Sequence, residues 1–171
     1  LKPFPGIMGV APDTEEMLST IPPRANGGNM DDPSLVEGTT VYFPVFVKGA
    51  LFSIGDGHAV QGYGEVCGSA IEAPMTFTYR VRVIKDKPAI KEPQYETDDY
   101  YAVTGFGETI DIATKKAVNY MIDHLSNNYD ISEEDAYMLC SLAGDLKIAE
   151  VVDVPNMLVT MHFPKSILKQ L

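Results

Sequence analysis

The stretch VFVKGALFSIGDGHAVQGYGEVCGSAIE, residues 45–72, joins an apolar run to a glycine-rich segment that carries charged side chains. The glycine-rich segment holds Asp56, His58 and Glu65 within ten positions. Glycine lets the backbone turn tightly and lets a ligand approach closely. Asp, His and Glu are the side chains that bind divalent cations or move protons near neutral pH. The stretch therefore predicts a strand that ends in a candidate chemical centre.

A purely structural interpretation stands beside this one. Gly-Asp-Gly is also typical of a hairpin turn, because Asp and Gly tolerate turn geometry. Asp56 and His58 lie two positions apart, so on an extended segment both would point to the same face. The segment NGGNMDD, residues 26–32, offers the same choice between a plain Asn-Gly turn and a flexible turn that presents Asn29 and Asp31. Spacing alone leaves both interpretations open.

Length and composition narrow the class of protein. A chain of 171 residues is long enough for one domain with a sizeable core, so we expect residues 1–171 to form a single domain. The hydrophobic and charged fractions, 45% and 22%, are typical of a soluble globular protein. The net charge of −11 argues against nucleic acid, whose phosphates would be repelled. No apolar run is long enough for a membrane span, so we expect no membrane association.

The two cysteines, Cys67 and Cys140, form no C-x-x-C pair. We expect them to be reduced, buried and apolar in a cytoplasmic protein. The chain begins at Leu1 rather than at a methionine, which suggests a processed or partial chain. The first residues show neither a basic region nor the apolar core of a signal peptide.

Hydrophobic periodicity predicts a mainly β fold with an α+β C-terminal portion: β-sandwich-like sheets plus two helices, at about 109–126 and 132–143. The segment TFTYRVRVI, residues 76–84, alternates apolar and polar side chains and predicts a regular strand. Its Arg80 and Arg82 face is expected to be solvated or paired with acidic neighbours. The other predicted strands are 39–47, 51–54, 65–71, 100–105, 146–152 and 157–163.

Five pieces of sequence, in order, resemble the acetamidase/formamidase family of amide hydrolases. They are PGIMGVAP at 5–12, GGNMD at 27–31, FPVFVKGALFSIGDGHAVQGYGEVCGSAIE at 43–72, YAVTGFGETIDIATKKAVNYMIDHL at 101–125 and CSLAGDLKIAEVVD at 140–153. The resemblance covers almost the whole chain but only the C-terminal part of the family pattern. It implies that an N-terminal β-rich segment is absent here or is carried on a separate chain. One departure is Tyr63, where the family is usually acidic.

The resemblance implies a β-rich fold and hydrolysis of a short amide, such as formamide or acetamide, to the carboxylate and ammonia. It also implies a bound divalent metal, for which the chain offers Asp31, Asp56, His58 and Glu65 as ligands. We expect zinc, with calcium or magnesium as alternatives. The partners expected are a small-molecule amide and further copies in a homo-oligomer, or a second chain that supplies the N-terminal segment.

Chemistry rather than resemblance suggests the individual roles. A metal held by Asp56 and His58, with Asp31, could activate water and polarise the carbonyl. Glu65 could then act as the general base that returns the proton to nitrogen. The amides of Asn29 and Gln61 could bind the substrate or the oxyanion. An apolar wall of Phe46, Leu51 and Phe52 could limit the size of the acyl group.

Two alternatives remain open on sequence grounds. The first is a metal-free hydrolase in which Cys67 attacks the carbonyl. The second is a non-catalytic metal-binding or assembly module of the same fold that has lost turnover. Tyr63 and the missing N-terminal segment favour this second alternative.

Overall fold

The computed structural model describes residues 1–85 and 87–171. In this part of the chain two antiparallel β-sheets combine with helices, as the sequence predicts. In order, the elements are β1 (Phe4–Gly9), β2 (Gly27–Asn29), β3 (Thr40–Tyr42), β4 (Ser53–His58), β5 (Gln94–Glu96), β6 (Tyr100–Gly107), α1 (Ile110–Asn128), α2 (Glu133–Ala143), β7 (Asp145–Glu150), β8 (Met157–Pro164) and α3 (Lys165–Leu168).

The two sheets differ in size and in role. The smaller one has the order β2-β1-β4, with β1 in the middle. The larger one has the order β3-β5-β6-β8-β7, and the long strands β6 and β8 form its centre. Side chains alternate along a strand, so β6 directs Ala102 and Phe106 to one face and Val103 to the other. The larger sheet is therefore buried on both faces.

One face of the larger sheet is covered by α1 and α2. Helix α1 presents Ala113, Ala117, Met121 and Leu125, which are fully buried, at helical spacing. Gly105 of β6 permits this close packing, because a Cβ there would lie 2.2 Å from the Ala113 carbonyl oxygen. The hydroxyls of Thr109 and Ser132 accept hydrogen bonds from the backbone amides of Ile112 and Asp135 and so cap the first turns of α1 and α2. Both predicted helices are confirmed.

The opposite face of the larger sheet packs towards the smaller sheet. Met30 and Leu35, which follow β2, are buried there against Tyr95, Phe106 and Leu158. This sandwich-like packing of two sheets agrees with the predicted architecture. It places the loop after β2 and the end of β4 close to the larger sheet. In the described residues, no helix has the length and apolar character needed to cross a membrane.

Several predicted strand bounds are wrong. The strand predicted at 51–54 begins at Ser53 and continues to His58, because the Gly-Asp-Gly segment pairs with β1 instead of forming a hairpin turn. The strand predicted at 39–47 is confined to β3. The segments 65–71 and 76–84 form no β-ladder with any described residue. The regular strand predicted at 76–84 from its alternating side chains is therefore wrong, since these residues belong to none of the strands in the described structure.

Candidate metal and catalytic site

His58 lies at the centre of a cluster of carboxylates between β1, β4 and the loops beside them. It is buried and ends β4, directly opposite Phe4 of β1. Its Nε2 atom lies 3.2 Å from Asp56 Oδ2 and 3.3 Å from Glu72 Oε2. Its Nδ1 atom lies 2.8 Å from Gln61 Oε1 and 3.5 Å from Asp31 Oδ1. One imidazole therefore contacts three carboxylates and one amide.

The amide of Gln61 fixes the orientation of this imidazole. Gln61 Nε2 donates to the backbone carbonyl of Asp31 at 2.6 Å, so Gln61 Oε1 must be the atom that faces His58. An amide oxygen only accepts hydrogen bonds, and His58 Nδ1 therefore carries the hydrogen. The lone pair of the neutral ring is then on Nε2, which points towards Asp56 and Glu72. This is the arrangement in which a histidine binds a cation.

Backbone hydrogen bonds to strand β1 hold Asp31 in position. The carbonyl of Gly6 in β1 accepts hydrogen bonds from the backbone amides of Met30 and Asp31. The backbone of Asp31 has φ 42°, a left-handed conformation that turns the chain back into the cluster. The side chain is buried, and its Oδ1 atom has no hydrogen-bond partner in the described part of the chain. Burial, with Glu65 and Asp153 nearby, raises the pKa of Asp31 well above its usual range.

Gly6 leaves the space at the centre of these side chains. A Cβ on Gly6 would lie 2.5 Å from Asp31 Oδ1, 2.8 Å from Asp56 Oδ2 and 2.8 Å from His58 Cε1. Only a hydrogen atom fits on that side of β1 while the three side chains keep these positions. A side chain at this position would fill the cradle that the ligand atoms surround.

Glu65 and Asp153 reach the cluster from two loops that are held together. The Gly64 amide donates to the carbonyl of Ala149, and the Val151 amide donates to the carbonyl of Gly64. Glu65 and Asp153 are both buried. Burial raises the pKa of each of these carboxyls, and for Glu65 the charge of Asp153 adds to the effect.

Glu150 holds the loop that carries Asp153 through hydrogen bonds to its backbone. It is fully buried at the end of β7, and its Oε2 atom accepts hydrogen bonds from the backbone amides of Val152 and Asp153. Its Oε1 atom has no partner in the residues described. Burial raises the pKa of Glu150 to about 7.

Three overlapping sets of side chains have ligand atoms within 4.8 Å of one another, as a bound cation requires. The first set is Asp31, Asp56 and His58; the second is His58, Glu65 and Glu72; the third is Asp31, Glu65 and Asp153. The structure thus brings together all four ligands predicted from the sequence. Sequence analysis missed Glu72 and Asp153, although both lie inside quoted family segments. Neither has a local sequence pattern that separates it from the other acidic residues of the chain.

The two predicted substrate-binding amides lie in the same cluster. Asn29 Nδ2 donates to Asp153 Oδ2 at 2.8 Å, and Gln61 bridges His58 and Asp31. Each side chain therefore already holds a carboxylate or imidazole group in place. An amide nitrogen carries two hydrogens, so Asn29 and Gln61 each keep one that is not used in these contacts.

Other residues singled out from the sequence lie outside the cluster. The hydroxyl of Tyr63 contacts Ser34 Oγ at 2.8 Å and Lys147 Nζ at 3.3 Å. Cys67 is exposed, contrary to the expectation of burial, and its Sγ atom contacts the carbonyl of Ser69. Cys140 is buried as expected. The side chains of the predicted apolar wall, Phe46, Leu51 and Phe52, range from half-buried to exposed.

Comparisons with known proteins agree with the sequence resemblance. The model of the acetamidase/formamidase family matches residues 11–170. The formamidase of Methylophilus methylotrophus is 33% identical over 173 residues, which cover 89% of this chain and 42% of that protein. The chain thus spans less than half the length of this curated relative.

Two solved structures share the fold at similar levels of identity. A predicted acetamidase/formamidase from Thermoanaerobacter tengcongensis superposes with a TM-score of 0.88 at 36% identity, covering 99% of this chain and 55% of that one. An acetamidase from Bacillus halodurans gives a TM-score of 0.85 at 31% identity, covering 100% and 57%. The described chain therefore has the fold of slightly more than half of each of these proteins.

Proposed function

Because the chain belongs to the acetamidase/formamidase family, we propose that it contributes the hydrolytic centre of an amidase. The substrate would be a short linear amide of the formamide or acetamide type, and the products would be the carboxylate and ammonia. The observation that carries this proposal is the buried imidazole of His58, whose Nε2 atom faces the carboxylates of Asp56 and Glu72. The named activities of the relatives support the choice of reaction.

The residues of the cluster fit a divalent cation. Asp31 Oδ1 is buried without a hydrogen-bond partner among the described residues, and Gly6 keeps the adjacent space open. Asp31, Asp56 and His58 would hold the ion, and Glu65, which belongs to the two overlapping sets, would lie beside it. A mixture of imidazole nitrogen and carboxylate oxygen suits zinc, while calcium or magnesium would favour oxygen alone. When bound, the cation would supply Lewis acidity, which polarises a carbonyl and makes water more acidic.

Glu65 is the residue that we assign to proton transfer. Burial raises the pKa of Glu65 above its usual range, which makes its carboxylate a stronger base, and the preceding residue is held by the hydrogen bond from the Gly64 amide to Ala149. As water attacks the carbonyl, Glu65 takes one proton from it. The same proton is then delivered to the amide nitrogen as the C–N bond breaks, so that ammonia leaves. Glu65 ends the cycle in its starting protonation state.

Asn29 and Gln61 would orient both the cluster and the substrate. Their existing contacts hold Asp153 and His58, and the remaining amide hydrogen of each is available for the substrate carbonyl or the oxyanion. The apolar side chains of Phe46, Leu51 and Phe52 would border the acyl group. In this arrangement the two amides act mainly as positioning groups, since their first hydrogen bonds go to side chains of the cluster.

We also propose a cytoplasmic location and a homo-oligomer for the assembled protein. Free cysteines support a reducing compartment. The side chains of Tyr137, Met138 and Leu142 on α2 are exposed, and an apolar surface of this kind favours contact with another copy. The alternative of a thiol nucleophile has little support, because the Cys67 thiol is exposed and contacts a backbone carbonyl rather than a base. A non-catalytic module of the same fold is the outcome that the next experiment separates from the proposal.

Ammonia release from formamide and acetamide tests the assignment of Glu65. The Glu65→Gln variant keeps the size of the side chain and removes the proton acceptor, so we expect turnover to fall by about 100-fold or more. The Glu15→Gln variant changes an exposed glutamate elsewhere and should leave turnover unchanged. Equal turnover in the two folded variants would remove Glu65 from the mechanism. No release by the wild-type protein, alone or with the remaining part of the family fold, would favour the non-catalytic module.

A further inference from the structure

Residues 75–84, MTFTYRVRVI, extend from the cluster as a segment that we call the arm. The residues just before it are held to β4, since the amide of Ala73 donates to Gly57 and the amide of Ala59 donates to Ile71. Met75 then packs against Gly57, where a Cβ would lie 2.8 Å from Met75 Cγ. Beyond this point no backbone hydrogen bond joins the arm to any other described residue. The arm thus starts at a fixed point, and its backbone groups are unpaired within the described part of the chain.

The apolar side chains of the arm become more exposed to solvent along its length. Met75 and Phe77 are half-buried, and the ring of Tyr79 lies 5.2 Å from that of Phe52 between centroids. Further along, Val81 and Val83 are 65% and 69% exposed. An exposed strand that alternates apolar side chains and leaves its edge groups free readily pairs with another strand. The arm therefore has the form of a strand whose neighbour is missing.

The other side of the arm is basic. Arg80 and Arg82 are exposed, and neither guanidinium forms an ion pair within the described ranges 1–85 and 87–171. The chain as a whole carries a net charge of −11, so two arginines separated by one residue are unusual for it. Pairing the arm with the arm of a second copy would bring these arginines close to their equivalents, which like charges disfavour. A neighbouring segment that carries both apolar and acidic side chains would suit the apolar side and the basic side of the arm.

We propose that the arm is a docking strand for a polypeptide segment equivalent to the part of the relatives that this chain does not cover. That segment would be extended, with apolar side chains against Val81 and Val83 and acidic side chains near Arg80 and Arg82. The solved relatives supply the reason for this choice of occupant, because the matched portion accounts for only 55% and 57% of their chains at TM-scores of 0.88 and 0.85. The proposal rests on the shared fold and is independent of the proposed catalysis.

Docking on the arm would also affect the cluster around His58. Glu72, whose side chain is 51% exposed and contacts His58 Nε2, lies three positions before the arm. Asp56 is partly exposed on the neighbouring strand. A segment added beside the arm would cover this open side and lower the access of bulk water to the cluster. Exclusion of water strengthens electrostatic interactions inside such a site.

Hydrogen exchange of the arm amides tests the proposal without any activity assay. We would compare the 171-residue protein with a chimera in which it replaces the matched portion of the Thermoanaerobacter tengcongensis relative. The arm amides should exchange rapidly in the protein alone and about 100-fold more slowly in the chimera. The Val81→Asp variant of the chimera should lose this protection. The Met17→Asp variant, which changes a fully exposed apolar side chain outside the arm, should keep it.

Two results would overturn the proposal. The first is a folded chimera whose arm amides exchange as rapidly as those of the protein alone. The second is concentration-dependent protection of the arm in the protein alone, which would make a second copy the occupant. If the chimera does not fold, the uncovered part of the relative is coexpressed as a tagged chain. Copurification of wild type and Met17→Asp but not of Val81→Asp supports docking, and absence of copurification with wild type contradicts it.

Discussion

Replacing Gly6 by alanine should abolish tight cation binding while the fold is kept. The added Cβ would lie 2.5 Å from Asp31 Oδ1 and 2.8 Å from both Asp56 Oδ2 and His58 Cε1. Unstrained contacts of this kind need roughly 3.4 Å or more, so each of the three side chains must retreat by several tenths of an ångström. All three atoms are at the ends of side chains, and the backbone pairing of β1 with β4 is not obstructed. The substitution therefore acts on the site more than on the sheet.

The expected loss of zinc affinity follows from the number of ligand side chains that the new Cβ displaces. Altering one group that orients a metal ligand typically costs 10- to 100-fold in affinity, and here three ligand side chains move together. We expect the affinity for zinc, measured by calorimetry, to fall by about 100-fold or more. The free energy of unfolding should fall by about 1–3 kcal/mol, as for a small overpacking change.

Gly55→Ala is the matched control for this prediction. Gly55 lies on the adjacent strand β4, paired with Ile7 of β1, and a Cβ there would meet no atom of the described residues within 4 Å. Its zinc affinity should equal that of the wild type. A Gly6→Ala protein that is folded and binds zinc with wild-type affinity would refute the assignment of the site to Asp31, Asp56 and His58.

Three further predictions address the support of the site and of the fold. Gln61→Leu removes the acceptor for His58 Nδ1–H, so zinc affinity should fall about 10- to 100-fold by calorimetry, and an unchanged affinity would contradict the assigned tautomer. Burial raises the pKa of Asp31 and that of Glu150, the latter to about 7, so the folded cation-free protein binds more protons than the unfolded chain between about pH 4 and 7. The Tm measured in a scanning calorimeter should therefore fall as pH rises through this range. A Tm that rises with pH would contradict the raised pKa values of Asp31 and Glu150. Gly105→Ala places a Cβ 2.2 Å from the Ala113 carbonyl oxygen, so urea unfolding should show a loss of about 1–3 kcal/mol or more, and no loss would contradict the packing of α1 on β6.

The helices could be predicted from the sequence because their signals are local. The periodicity of Ala113, Ala117, Met121 and Leu125 lies within the segment that forms α1, and the capping residue Ser132 directly precedes α2. Strand pairing is a property of two distant segments, and it was predicted less well. The Gly-Asp-Gly segment satisfies the local rules of a hairpin turn, but β1 supplies a partner for it about fifty residues away.

The same distinction explains the outcome at the site. Asp56, His58 and Glu65 are close in sequence, and the family resemblance added Asp31, so these four predicted ligands do meet in space. Asp153 reaches them through the contact between Gly64 and the end of β7, which no local pattern indicates. The amides of Asn29 and Gln61 were predicted near the substrate, but their role in holding Asp153 and His58 depends on distances that only the fold provides.

Ammonia release from formamide and acetamide, before and after removal of bound metal by a chelator, tests the central claim most directly. We predict that the chelated protein loses ammonia release and regains it when zinc is added, with calcium and magnesium as the comparison ions. The assay uses the assembled protein, including the remaining part of the family fold where this is needed for release. Full release by metal-free protein would contradict a cation-dependent site built on Asp31, Asp56 and His58.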